Sequence, residues 1–245
     1  MSNALVITPT FNESENIRAI IEAVFSQPKD FDMLIVDDGS PDGTAAIVKE
    51  LQQKFNTGRT QLHLIERQGK LGLGTAYITG FRYGLEKGYD YLLEMDADFS
   101  HDPKDLNHLY LACAEEGADM SIGSRYVRGV NVVNWPMSRV LLSYFASVYV
   151  RLITRMSIQD TTAGFVCYKR KVLETLKLDE IKLIGYGFQI AMKFNTWKYG
   201  FKIKEVPIIF TDRTLGTSKM SSGIFKEAFF GVIGLKVGSW FTKYN

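Results

Sequence analysis

What most limits the possible folds is a rhythm of short apolar runs, each closed by a turn-forming or acidic cluster and followed by an amphipathic stretch. Ala4 to Thr8 is the first run, ended by Pro9, and Ile17, Ile20, Ile21 and Val24 follow at helical spacing with Asn12 or Ser14 as the expected N-cap. Met33 to Val36 stops at Asp37-Asp38-Gly39-Ser40-Pro41-Asp42-Gly43-Thr44, a dense turn signal, before a helix through Ala46, Ile47, Val48 and Leu51. Leu62 to Ile65 leads to the glycine-bearing loop from Gly69 to Gly74 and a helix across Thr75 to Lys87. A strand from Tyr89 to Met95, a helix from Pro103 to Glu116 and a strand from Met120 to Gly123 complete the regular half. Such alternation implies an α/β fold, a mostly parallel sheet with helices on both faces, whose ligands gather beyond the carboxyl ends of the strands.

The second half is less regular. Val132 to Met156 is rich in large apolar and aromatic residues with Arg139, Arg151 and Arg155 interspersed, and Ser221 to Phe241 is similar, with Lys226 and Lys236. Asp160 to Lys169 and Val206 to Phe210 are expected strands. The longest uncharged stretch, Val140 to Val150, falls short of the roughly 18 to 20 apolar residues needed to cross a bilayer. The N-terminus lacks the pattern of a signal peptide. A reducing cytosol suits the two separated cysteines, Cys113 and Cys167, which form no CxxC. With 29 Lys and Arg against 27 acids, the charge balance makes no case for nucleic acid as a partner.

Four common motifs lose ground on spacing. A dinucleotide fingerprint needs glycine at 77 after Gly72 and Gly74, where Tyr77 stands; Gly69-Lys70 is followed by Leu71, not the Ser or Thr of a Walker loop. No GxSxG elbow occurs, and His63, His101 and His108 have no HExxH spacing. What remains is acidic. Asp96 and Asp98 follow a strand two positions apart and point the same way if the strand stays extended, an arrangement that suits Mg2+ or Mn2+ bridging to phosphate oxygens; taken alone, a DxD is more often a solvated turn with incidental acids. Asp37 and Asp38 end another strand. Together these acids make a crevice whose repulsion calls for a neutralising partner, such as a metal with sugar or ribose hydroxyls.

Thr8-Pro9-Thr10-Phe11-Asn12-Glu13, Val36 to Thr44, Gly72-Leu73-Gly74-Thr75-Ala76 and Met95-Asp96-Ala97-Asp98, in that order, resemble glycosyltransferase family two, whose fold is the Rossmann-like GT-A. Gly123-Ser124-Arg125-Tyr126, Asp160 to Phe165, Gly185 to Gln189 and Arg213 to Lys219 narrow the resemblance to its dolichol-phosphate mannosyltransferase branch. The resemblance implies a catalytic domain over residues 1–220, with an interfacial helix at about 132–156, and a C-terminal amphipathic helix over 221–245. It implies that Pro9, Thr10, Asn12 and Glu13 border the nucleotide and that Asp37 and Asp38 serve the donor. Asp96 and Asp98 would hold Mg2+ or Mn2+, Arg213 and Lys219 would meet the donor phosphates, and Arg125 would hold the acceptor phosphate. The implied reaction is inverting transfer of mannose from GDP-mannose to dolichyl or another polyprenyl phosphate, on the cytoplasmic side of a membrane surface. Two alternatives stay open: UDP-glucose or another nucleotide sugar as donor, and a nucleotide-sugar-binding protein that has lost catalysis. Two departures from the family pattern matter, Ala191 where Glu is usual and Ser100 where Gln is often found.

Overall fold

The computed structural model describes residues 2–181, 183, 185, 187–212 and 222–244, the side chains of 222–228 excepted. Seven strands form the main sheet: β1 (Ala4–Thr10), β2 (Asp32–Asp37), β3 (Leu62–Glu66), β4 (Tyr91–Glu94), β5 (Met120–Ser124), β7 (Val166–Lys169) and β8 (Ile203–Pro207). Their spatial order is β3-β2-β1-β4-β7-β5-β8, parallel throughout except for β7, which runs antiparallel to both neighbours. The mixed α/β reading holds.

Period-two side-chain alternation divides the core in two. Leu5 and Ile7 of β1 face one way, onto α3 (Leu73–Glu86), α6 (Arg170–Thr175) and α7 (Gly187–Lys198). Ala4 and Val6 face the other way, onto α1 (Ile17–Phe25), α2 (Thr44–Phe55) and α4 (Asp105–Ala114). Burial of every β1 residue from Ala4 to Thr8 explains why the run is continuously apolar instead of alternating. α3 approaches the sheet closely because Gly80 has no side chain; a Cβ there would lie 2.4 Å from Ile7 Cγ2.

Chain order reverses beside β1: β2 and β3 build outward on one side and β4 joins on the other, so the β1–β4 seam is a crevice-forming switch point. β1 continues through Pro9 instead of stopping before it. Ile7 O accepts from Met95 N and Thr10 O from Asp38 N, so by alternation the position of the missing Pro9 N–H faces the β4 side, where pairing has already ended at Ile7–Glu94.

The irregular half differs more from expectation. Of the strand expected over Asp160 to Lys169, only β7 forms, because residues 160–165 turn away to meet Arg125 and Lys193. The strand expected over Val206 to Phe210 breaks after Pro207. Its continuation, β9 (Phe210–Thr211), pairs instead with β6 (Val132–Val133). α5 (Met137–Thr154) and α8 (Ser222–Gly238) replace the two apolar segments and pack on each other, with Tyr149 stacked on Phe229 at 4.7 Å. Among the described residues, no helix is long and apolar enough to cross a membrane.

Candidate active site

The tips of β1, β2 and β4 converge at the switch point. Asp37 is buried at the end of β2, where its Oδ1 accepts from Thr10 Oγ1 (2.8 Å) and Ser40 Oγ (2.6 Å) and its Oδ2 from the Ser40 N–H (2.9 Å). Asp38 accepts from Arg67 through both Nε (2.6 Å) and Nη2 (2.5 Å). Arg67 also donates to Thr75 Oγ1 (2.8 Å), so one guanidinium ties the β2 tip to the glycine-bearing loop. These partners correct the electrostatic expectation. The Asp37–Asp38 pair is already compensated by hydroxyls, a backbone N–H and a cation, and needs no metal.

The loop after β1 interlocks with the turn after β2. Asn12 N donates to Ser40 Oγ, Glu13 N to Thr44 Oγ1 and Ser14 N to Asp42 Oδ2, at 2.9 to 3.0 Å. Burial would raise Asp42, but hydrogen bonds from Thr44 and Ser14 outweigh it and hold the carboxyl down at about 2. Helix α1 therefore starts later than either expected N-cap: Asn12 sits in the left-handed region at φ 57°, Ser14 belongs to this interlock, and Asn16 is the cap residue.

β4 ends at Glu94, so Asp96 and Asp98 lie on a turn and not on the extended strand that the alternation argument needed. Asp96 is the more accessible, with 41% of its side chain exposed, and Tyr77 Oη reaches its Oδ1 at 3.4 Å. Asp98 is buried and accepts from Ser100 N–H at 3.1 Å, across Phe99 at φ 59°. Buried His101 accepts the Asp96 N–H on Nδ1 (3.2 Å) and stacks on Phe165. Burial, helped by the Arg125 charge and opposed by Asp98 and Asp160, lowers His101 to about 4, so its ring is neutral and fit to accept. Among the described residues, no three His, Cys, Asp or Glu side chains converge as a metal site. Ser100, flagged as a departure, is buried with an Oγ that has no hydrogen-bond partner among the described residues.

Arg125, expected at an acceptor phosphate, is buried at the end of β5 in a two-pronged pair with Asp160: Nε to Oδ2 and Nη2 to Oδ1, both 2.7 Å. Burial disfavours both charges, yet the pairing wins, raising Arg125 and lowering Asp160. The guanidinium also donates to Thr162 Oγ1 (2.9 Å) and lies within 5.6 Å of the ring centres of Tyr126, Trp135 and Phe210. Arg139, at the start of α5, stacks on Trp135 at 4.2 Å and grips both oxygens of Asp212 at 2.8 and 2.9 Å. Asp98 and Asp212 border one open groove with Arg128 and Asn131. Arg213 and Lys219 lie outside the described residues.

Sequence reasoning missed Arg67, His101, Asp160 as the Arg125 partner, and a buried Glu94–Gln189–Lys193 group under the turn. A signal for Arg67 existed, since a cation directly after β3 stands level with the other strand tips. Ala191 is itself buried in α7, between Gln189 and Lys193.

Residues 5–177 match the family described as Glycosyl transferase family 2. A polyprenol monophosphomannose synthase from Mycolicibacterium smegmatis is 45% identical over 96% of this chain and 86% of its own length. An undecaprenyl-phosphate mannosyltransferase from Micrococcus luteus is 44% identical over 93% of this chain and 91% of its own. Among solved structures, glucosyl-3-phosphoglycerate synthase from Mycobacterium tuberculosis, in complex with Mn2+, UDP and glucosyl-3-phosphoglycerate, superposes with a TM-score of 0.67 at 15% identity, covering 96% of this chain and 78% of that one. A mannosyltransferase from Pyrobaculum calidifontis in complex with GDP-Man and Mn2+ gives 0.59 at 15% identity, covering 97% and 73%. At such identities these two likenesses speak to the fold, which is the GT-A architecture.

Proposed function

The chain belongs to glycosyltransferase family 2 and is a glycosyltransferase, and on that premise we propose that it moves mannose from GDP-mannose to a polyprenyl phosphate, inverting the anomeric carbon. The observation that carries this reading is a pair of relatives at 45 and 44% identity along nearly the whole chain, one named a polyprenol monophosphomannose synthase and the other an undecaprenyl-phosphate mannosyltransferase. The site chemistry supports it. Asp96 and Asp98 suit Mg2+ or Mn2+, because two carboxylates with no third converging protein ligand among the described residues match an ion that keeps waters and takes substrate phosphate oxygens. When bound, that ion neutralises charge on the departing nucleoside diphosphate.

The remaining work falls to side chains. Pro9, Thr10, Asn12, Glu13 and Asp37 border the nucleoside, while Asp38, held by Arg67, fixes the glycine-bearing loop beside it. Arg213 and Lys219 meet the donor phosphates. Arg125 keeps Nη1 for an acceptor phosphate oxygen, its other nitrogens being engaged by Asp160 and Thr162. A phosphate monoester is already ionised at neutral pH, so the attacking oxygen needs no strong general base, which agrees with a neutral buried His101. The lipid reaches the groove from a membrane surface on which α5 and α8 lie.

Incubating the protein with labelled GDP-mannose, Mn2+ and undecaprenyl phosphate, then extracting the lipid, tests the reading. Label in the organic phase is expected. Lipid labelled from UDP-glucose but not from GDP-mannose overturns the donor, and no labelled lipid from either overturns the transfer itself.

A further inference from the structure

Beneath the Asp96–Asp98 turn lies a buried polar relay that the proposed chemistry leaves without a task. Glu94 closes β4 and Lys193 stands in α7, both fully buried. Gln189, one turn before Lys193, lies between them. Its Nε2 donates to Glu94 Oε2 at 2.8 Å, and its Oε1 and backbone carbonyl each accept from Lys193 Nζ at 3.3 Å. The shortest bond of the ammonium goes elsewhere, to the Ala163 carbonyl at 2.6 Å. Burial pushes the Glu94 carboxyl up and the Lys193 ammonium down, each partly offset by the other's charge.

Stability alone does not explain this arrangement. Well-packed apolar residues in place of a buried charge pair are often neutral or stabilising, so the pair is a poor way to hold a helix on a sheet. What the ammonium grips is the 160–164 segment. Asp160 clamps Arg125, and Thr162 accepts from the same guanidinium. The segment runs on into Phe165, whose ring stacks on that of His101 at 4.7 Å between centroids. His101 in turn accepts the Asp96 N–H. One chain of contacts therefore joins Lys193 to both the Asp96 turn and Arg125.

We propose that Lys193, acting through Ala163 and Gln189, is a positioning residue that fixes the 160–164 segment between Arg125 and the Asp96–Asp98 turn, so that the two sides of the transfer share one geometry. The catalytic half of this inference rests on the transferase reading above; the structural half does not.

Lys193→Met removes the ammonium and keeps the length of the side chain. Hydrogen exchange, which needs no substrate, is expected to quicken about tenfold or more in amides of the 160–165 segment and to stay unchanged in β1 and β2. In the transfer assay kcat is expected to fall about 30-fold while KM for the donor stays within about twofold. The pair Glu94→Gln with Lys193→Met, which buries no net charge, is expected to recover the wild-type melting temperature without recovering kcat. Unchanged exchange in the segment, or wild-type kcat in the double variant, overturns the proposal. If Lys193→Met does not fold, the double variant carries both measurements with the same expected results. A wild-type protein that transfers no sugar sinks the transferase reading, and the exchange result still decides whether Lys193 fixes the segment.

Discussion

Asp98 and Arg125 show how differently two charges can be held within one site. Asp98 is buried on a turn and accepts a backbone donor from Ser100, whereas Arg125 has a carboxylate fork, a hydroxyl and three rings around it. Replacing Asp98 with Ala should reduce metal-dependent transfer by about 100-fold or more, read as product formed at saturating Mn2+. Arg125→Lys should cost stability first. A lysine keeps the charge but cannot match both Asp160 oxygens and Thr162 together, so the urea midpoint should drop by an amount equal to about 1.5–3 kcal/mol. At this scale the sequence was informative about which acids stand at strand tips, because a turn cluster after an apolar run places them there. It was silent on what those acids touch. Asp38 looked like half of a repulsive pair, and only the fold brings Arg67 to it from the neighbouring strand tip. Lys193 was harder still, since a lysine in a helix reads as solvated unless the helix is known to be buried nearly all round.

Elements carry their own tests. α3 lies against β1 with no room at Gly80, so Gly80→Ala should cost about 1–3 kcal/mol despite its better helix propensity, because the new methyl meets a packed isoleucine and not solvent. Gly234 in α8 has open space around its Cβ position, and the same substitution there should stabilise by about 0.4–1 kcal/mol. Opposite signs from one chemical change, read as thermal midpoints, would establish that packing and not propensity decides. At the other end of the sheet, buried Asp32 of β2 accepts from Tyr89 Oη at 2.8 Å, and His63 of β3 lies 3.2 Å from the same hydroxyl. Burial lowers His63, helped by Lys87 and opposed by Asp32. The unfolded chain thus takes up the imidazole proton more readily than the fold, so stability is lost as pH falls through the unfolded value of about 6.5. Between about pH 7.5 and 5.5 the urea midpoint of the wild type should fall further than that of His63→Gln. The regular half of the chain was legible as elements because each run had a turn at its end. The stretch from Asp160 to Phe165 was not, since its apolar and polar residues answer to Arg125 and Lys193, partners distant in sequence, and not to a ladder.

On the scale of the whole molecule, the proposed docking on a bilayer falls to α5 and α8. Met137, Leu141, Phe145 and Leu152 are exposed along one stripe of α5, at spacings of four, four and seven. Phe230, Ile233 and Val237 continue a similar face on α8, with Trp240 and Phe241 just past its end at 68 and 85% exposure. The family resemblance, and not the sequence pattern alone, implied an interfacial helix here, with Arg139 and Arg151 at headgroup level. In the fold Arg139 is engaged by Asp212 and Arg151 by Gln159; Arg155 and Lys243 are exposed cations nearby among the described residues. So many exposed rings and aliphatic side chains make an apolar anchor. Each large apolar side chain that leaves water contributes about 1.5–3 kcal/mol, whereas salt at about 0.5 M screens exposed charges beyond a few ångström. The protein should therefore float with neutral phosphatidylcholine vesicles and stay with them in high salt. Phe145→Glu combined with Trp240→Glu should abolish flotation while leaving the melting temperature unchanged, since both side chains face solvent in the free protein. Flotation that needs anionic lipid and disappears in salt would transfer the anchoring role to Arg155, Lys243 and the other cations, and would remove the apolar stripe from the account of how a lipid phosphate reaches Arg125.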